Sequence, residues 1–168
     1  SHTRGVRPRA RAYAEALDVV ASTWWDRGHW HLARSMPSLV RVEAKADSDF
    51  AKVARVMDTR RARVMLLQLD TTASFIAGRR GKMTTTDAQR ASKSPYNTYQ
   101  FAGLPPGPID SPGLSAMEAA INPAPGPWLY FVAVNPETGE TRFAVDAAGH
   151  AANVKLFQKW CSGHPGKC

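Results

Sequence analysis

The segment Trp128-Leu-Tyr-Phe-Val-Ala-Val134, with Asn135-Pro-Glu-Thr-Gly139 and Thr141-Arg-Phe-Ala-Val145 after it, distinguishes this chain from an all-helical protein. Its two outer runs are rich in the aromatic and β-branched residues that favour strands. The Asn, Pro and Gly residues between them are typical of a tight turn. The segment therefore predicts a β-hairpin.

Helical patterns lie on both sides of this hairpin. Apolar residues at spacings of three and four, together with Pro37 and Ser111-Pro112 at helix starts, indicate helices. We expect these helices at residues 8–26, 37–46, 49–61, 114–121 and 147–160. An apolar run, Val64 to Leu69, precedes threonines that indicate a turn or a short helix. The predicted fold class is α+β and mainly helical.

Residues 78–113 differ from the rest, since they hold five of the twelve glycines and five prolines. Long ordered loops without secondary structure are uncommon in compact domains and usually functional. We therefore expect one long Pro/Gly-rich loop that carries part of a binding site.

Composition and charge set wide limits on function. The chain has 168 residues, 43% hydrophobic and 21% charged, which suits one globular domain over residues 13–168. Residues 1–12 are basic and are expected to form a disordered tail. The net charge of +8 favours polyanions such as nucleic acid, anionic lipid or an acidic wall polymer, without choosing among them. The longest apolar run, Trp128 to Val134, is too short to span a membrane.

No metal or cofactor is expected. Cys161 and Cys168 could form a small disulfide loop or remain free thiols, and the sequence leaves both open. Zinc ligation by these cysteines with His164 fits no standard spacing. His29 and His31 are better explained as surface histidines than as metal ligands. The chain has no P-loop, dinucleotide fingerprint or nucleophile elbow.

Glu43 is the candidate general acid. It follows Pro37-Ser-Leu-Val-Arg-Val42, so apolar side chains lie close to it on the predicted helix. A carboxyl group in an apolar cleft can keep its proton near neutral pH. The alternative is an exposed helix glutamate between Arg41 and Lys45, and the local pattern alone favours that alternative.

The segment Ser94-Pro-Tyr-Asn-Thr-Tyr99 concentrates hydroxyl, amide and aromatic groups. Aromatic rings stack on the apolar faces of sugars, while amides and hydroxyls pair with sugar hydroxyls and acetamides. A structural turn tied together by its own polar side chains is an equal alternative.

Several blocks of this sequence resemble, in order, the endolytic murein transglycosylases of the YceG-like (MltG) family. The similarity covers about residues 36–160 and is most specific in the two middle blocks of the loop. The matching blocks are Pro37–Glu43, Leu67-Gln-Leu-Asp-Thr-Thr72, Ser94–Tyr99, Gly103-Leu-Pro-Pro-Gly-Pro-Ile109, Asn122-Pro123, Tyr130-Phe-Val132 and His150.

The resemblance implies a lysozyme-like fold and a lytic reaction without water. The β-1,4 bond between N-acetylmuramic acid and N-acetylglucosamine would be cleaved inside nascent glycan strands, leaving 1,6-anhydro ends. Glu43 would act first as acid and then as base, so one carboxyl group suffices, unlike the usual glycosidase pair. Residues implied to bind the sugars are Gln68, Asp70, Ser94, Tyr96, Asn97, Thr98 and Tyr99.

The same resemblance implies peptidoglycan strands as substrate, peptidoglycan synthases as partners and a position on the extracytoplasmic face of the bacterial cytoplasmic membrane. The membrane anchor is expected in a segment outside this sequence.

The chain departs from the family pattern near the candidate acid, and the departure at Arg41 motivates the main alternative. Arg41 replaces the first of the family's two glutamates, Ala44 follows Glu43 where Ser or Thr is usual in related enzymes, and Thr71 replaces a proline. A cation beside Glu43 would lower its pKa, which suits a non-catalytic module that binds peptidoglycan and recruits synthases. Residues at i and i+2 do not share a helix face, however, so we expect Arg41 to point elsewhere. Nucleic-acid binding rests on charge alone and finds no motif.

Overall fold

The structure is a computed structural model that describes residues 35–79 and 84–168. Within these ranges the chain forms six α-helices and one β-hairpin, so it is helix-rich and mixed α+β, as the sequence predicts. The helices are α1 (Ser35–Glu43), α2 (Phe50–Ala62), α3 (Asp70–Ile76), α4 (Asp87–Arg90), α5 (Leu114–Ile121) and α6 (Ala147–Gly163), and the strands are β1 (Tyr130–Asn135) and β2 (Glu140–Ala144). The tail at 1–12, the helix expected at 8–26 and the histidines at 29 and 31 lie outside the described residues.

The predicted hairpin is confirmed. β1 and β2 pair antiparallel, with Tyr130 opposite Ala144 and Phe131 opposite Phe143. In the turn, the Asn135 side-chain oxygen accepts hydrogen bonds from two backbone N–H groups, and Gly139 has a φ of +77° that glycine adopts without strain. Helix α6 packs on β1, so the hairpin carries the C-terminal helix.

The hydrophobic core lies where α1, α2 and α5 meet. Leu39 and Val40 of α1 and Val53 of α2 are fully buried, and Ala116 of α5 lets the helices approach closely. Burying each large aliphatic side chain contributes about 1.5–3 kcal/mol. The α1 core residues lie one helical turn before Glu43, so packing fixes the end of α1 that carries this carboxyl group.

Two helices differ from the sequence prediction, since α1 ends at Glu43 rather than at residue 46 and α4 was not expected. α4 lies inside the stretch 78–113, which we expected to have no regular structure. Thr86 and Gln89 explain it, because their side chains and backbone N–H groups bond reciprocally in a capping box. This local signal starts a single helical turn within the loop.

Cys161 and Cys168 form a disulfide, which decides between the two alternatives left open by the sequence. Because both sulfur atoms are used in this bond, the zinc site with His164 is excluded. Lys167 forms a salt bridge with Glu137, so the C-terminal loop is also attached to the hairpin turn. Among the described residues no helix is long and apolar enough to cross a membrane.

Candidate active site

A large open cleft is lined by residues of the helical core, the hairpin and α6. Its cavity volume is about 1210 Å³. The polar and aromatic groups that line it come from α1, α2, α3, the segment before α3, the loop, β1 and α6. They include Glu43, Arg60, Gln68, Asp70, Thr71, Tyr99, Tyr130 and His150.

Glu43 is the last residue of α1 and reaches the cleft from the edge of the core. Burial is the main cause that raises its pKa from 4.5 to about 7. The hydroxyl of Thr71 donates a hydrogen bond to Oε1, and this bond and the Lys45 charge lower the pKa, while the Asp70 charge raises it. The glutamate can therefore exist in both protonation states near neutral pH, as acid–base catalysis requires.

Arg41 does not line the cleft beside Glu43. It is exposed on α1 and lies outside the set of residues that line the cleft. The expectation that it points away from Glu43 is confirmed. The positive charge of Lys45 lowers the pKa of Glu43, and this effect is smaller than that of burial.

Asp70 is held in place by two donors. Its Oδ1 atom accepts hydrogen bonds from the Tyr99 hydroxyl at 2.7 Å and the Thr85 hydroxyl at 2.5 Å. Burial, and then the bond to Asp70, raises the pKa of Tyr99, so the phenol keeps its proton and remains a donor. This arrangement fixes a carboxylate in the first turn of α3, close enough to influence Glu43.

Gln68 lies between two buried leucines, Leu67 and Leu69, and is itself exposed at the cleft. Its φ is +52°, a left-handed conformation that costs a residue other than glycine about 1–3 kcal/mol. The bond from its backbone N–H to the carbonyl of Thr98 at 3.0 Å helps to hold that conformation. The backbone thus directs a polar side chain into the cleft.

Asn97 and Thr98 lie behind the cleft wall and are buried. The Asn97 amide donates to the carbonyls of Arg90 at 2.9 Å and Ser92 at 2.7 Å, and its oxygen accepts from the backbone of Tyr99 at 3.0 Å. The Thr98 hydroxyl accepts from the backbone of Leu69 at 2.9 Å. These bonds position Tyr99 and the start of α3.

Ser94 and Tyr96 also lie outside the set of cleft-lining residues. The Ser94 hydroxyl accepts a bond from the backbone N–H of Tyr96 at 3.3 Å. The Tyr96 ring packs against Phe75, with ring centroids 5.3 Å apart. Of the eight residues assigned to the site from the sequence, the structure thus brings Glu43, Gln68, Asp70 and Tyr99 together at the cleft.

Arg60 was not expected at the site, although its position on α2 is a usable signal. Arg60 continues the apolar face of Val53 and Met57, so a charge falls at a core position. Its guanidinium donates to the carbonyls of Leu129 and Leu67, both at 2.7 Å, and it connects α2 to the cleft wall. Thr71, Tyr130 and His150 gave no comparable local signal of a site role.

Comparisons with known proteins show which family this chain resembles. The sequence model of the YceG-like family matches residues 11–156. The endolytic murein transglycosylase of Bacillus subtilis is 37% identical over 121 residues, which cover 71% of this chain and 32% of the relative. The endolytic murein transglycosylase of Streptococcus pneumoniae is 36% identical over 124 residues, which cover 71% of this chain and 22% of the relative.

A solved structure supports the same relationship. A yceG-like protein from Listeria monocytogenes superposes with a TM-score of 0.70 at 36% identity, covering 82% of this chain and 46% of that one. The chain thus spans a third or less of the curated relatives and about half of the solved structure. Since the family model matches most of the chain, the protein belongs to the YceG-like family.

Proposed function

We propose that this domain is a lytic murein transglycosylase that cleaves glycan strands with Glu43 as its single acid–base residue. The observation that carries the proposal is the position of Glu43 in a large cleft with a pKa of about 7. Two curated relatives are named endolytic murein transglycosylases. A lysozyme-like arrangement and a single domain over residues 13–168 are part of the same proposal.

The reaction needs two proton transfers, and one carboxyl group carries out both. Protonated Glu43 donates to the oxygen that links C1 of N-acetylmuramic acid to N-acetylglucosamine, and the C1–O bond breaks. The resulting carboxylate accepts the proton of the C6 hydroxyl while O6 bonds to C1, which gives a 1,6-anhydro end. Glu43 ends protonated and no water is consumed. A pKa near the working pH serves both half-reactions.

Asp70 takes a supporting part in this scheme. Two hydrogen bonds hold its carboxylate, and its negative charge raises the pKa of Glu43. The same negative charge stabilises the positive charge that develops at C1 as the bond breaks. Gln68 and Tyr99, beside it, are proposed to position the sugars.

The setting of the reaction follows from its substrate. Peptidoglycan strands place the enzyme on the extracytoplasmic side of the cytoplasmic membrane. Attachment through a segment outside this sequence and association with peptidoglycan synthases stay predictions.

The test is cleavage of uncrosslinked nascent glycan strands, with products read by mass spectrometry. The native protein should produce 1,6-anhydromuramic ends, and Glu43→Gln should reduce the rate by about 10²–10⁴-fold. Glu118→Gln, an exposed glutamate on α5, is the matched control and should retain the native rate. Oxygen from labelled water in the new ends would refute the transglycosylase reaction. Strand binding without cleavage by the native protein would support the alternative of a recruiting module.

A further inference from the structure

One face of α6 lines the cleft. Asp146 caps this helix, since its Oδ1 accepts a hydrogen bond from the backbone of Gly149 at 2.7 Å. His150, Val154 and Phe157 follow at spacings of four and three, so they share one face. All three line the cleft and are half-buried. The proposed chemistry above uses none of them.

His150 is held by aromatic contacts. Its ring stacks on Tyr130 with centroids 5.0 Å apart and planes at 20°. The Arg60 guanidinium lies 5.0 Å from the centroid of the same tyrosine ring, and its two carbonyl bonds prevent it from moving away. The imidazole therefore has a fixed orientation at the cleft wall.

Only one nitrogen of this imidazole can reach a ligand. Nδ1 is buried and has no hydrogen-bond partner within the part of the chain that the structure describes. A buried N–H group without an acceptor is costly, so the ring proton belongs on Nε2 and the lone pair on Nδ1. Burial, and then the charge of Arg60, lowers the pKa of His150, which keeps the ring neutral. The result is a neutral N–H donor beside apolar carbon.

We propose that His150, Val154 and Phe157 bind the N-acetyl group of an amino sugar. The Nε2–H group donates to the acetamide oxygen, and Val154 and Phe157 cover the methyl group. An acetamide presents one neutral acceptor beside one methyl group, which this surface complements. The inference rests on the proposed glycan substrate and assigns a specificity site for it.

The experiment measures binding rather than cleavage. In the Glu43→Gln protein, affinity for uncrosslinked glycan strands is compared among His150→Phe, His150→Gln and the control Ala152→Gln, which alters an exposed position of α6. Phenylalanine keeps the stacking on Tyr130 but removes the donor, so binding should weaken about 3–10-fold. His150→Gln restores a donor at a similar reach, so the affinity of this variant for strands should be within about 2–3-fold of that of the parent. Equal affinity of His150→Phe and the parent would overturn the proposal.

A second measurement identifies the sugar group. Strands are compared before and after N-deacetylation, and the preference for acetylated strands should fall several-fold in His150→Phe but not in Ala152→Gln. An unchanged preference in His150→Phe would overturn the assignment to the acetamide.

The protonation state can be tested without any ligand. Long-range nitrogen–proton NMR spectra should show a neutral His150 protonated on Nε2 at pH 7. A proton on Nδ1 would overturn the inference. The variants could bind strands as expected, with His150→Phe weaker than the parent and His150→Gln close to it, while the native protein yields no anhydro ends. In that case the proposed catalysis fails and the N-acetyl site stands.

Discussion

Thr71, in the first turn of α3, donates a hydrogen bond to Oε1 of Glu43 at the end of α1. This bond favours the carboxylate, whereas burial favours the neutral acid, and burial has the larger effect on the pKa. The pKa of the candidate catalytic group is therefore raised mainly by burial, and a contact from a distant part of the chain opposes this effect.

Thr71→Val should raise the pKa of Glu43 further above 7, because it removes a contact that lowers it. The acid form would then persist to higher pH, and the alkaline limb of the pH profile of kcat/KM should move to higher pH. Thr71→Ser keeps the hydroxyl and should restore the native limb. An alkaline limb that stays in place in Thr71→Val would contradict the assignment of this limb to Glu43.

Asp70→Asn should shift the pKa of Glu43 in the opposite direction. Removing the negative charge of Asp70 lowers the pKa of Glu43, so the alkaline limb should move to lower pH. Tyr99→Phe removes a hydrogen bond to Asp70 but keeps its charge, which makes it the matched control. The two profiles are measured on the same glycan strands. Matching shifts in Asp70→Asn and Tyr99→Phe would show that lost hydrogen bonding, rather than charge, is responsible.

The ionised Glu43 side chain should reduce the free energy of unfolding at high pH. The folded state binds its proton more tightly, with a pKa of about 7 against 4.5 when unfolded. Stability is therefore unaffected below about pH 4.5, falls as the pH rises toward 7, and stays reduced above that. At 1.36 kcal/mol for each pH unit, the full penalty is about 3 kcal/mol.

Glu43→Gln should remove this penalty. The free energy of unfolding of Glu43→Gln and of the native protein is measured in urea at both pH values. The advantage of Glu43→Gln over the native protein should be about 1–3 kcal/mol larger at pH 8 than at pH 4. Glu118→Gln, which changes an exposed carboxyl group in the same way, is measured as the control. The same Glu43→Gln difference at both pH values would mean that the carboxyl group is not desolvated in the folded protein.

Asn97→Ala tests whether the buried amide supports the fold or contacts the glycan. Three hydrogen bonds to the backbone would be lost inside the protein, so the free energy of unfolding should fall by about 2–4 kcal/mol. Urea unfolding measures the loss, and KM for glycan strands is determined on the folded fraction. Unchanged stability with a raised KM would instead show that Asn97 contacts the sugar.

Much of the fold could be predicted from the sequence, because its signals are local. The turn at Asn135–Gly139 between two apolar runs predicts the hairpin, and apolar residues three and four apart predict α2 and α6. Each depends on residues within a few positions of one another, where backbone propensity and side-chain periodicity act directly. Glu43 is an exception, because the local pattern alone favours an exposed helix glutamate and the family resemblance is what singles it out.

Only the tertiary structure decided which polar groups meet. It brings Thr71 to Glu43 and Tyr99 to Asp70, buries Asn97 and Thr98, and places His150 at the cleft. It also decided between the disulfide and free thiols for Cys161 and Cys168. These outcomes depend on how distant segments pack and on which groups lose water. The sequence determines which side chains are present, and burial and long-range contacts determine their protonation and their partners.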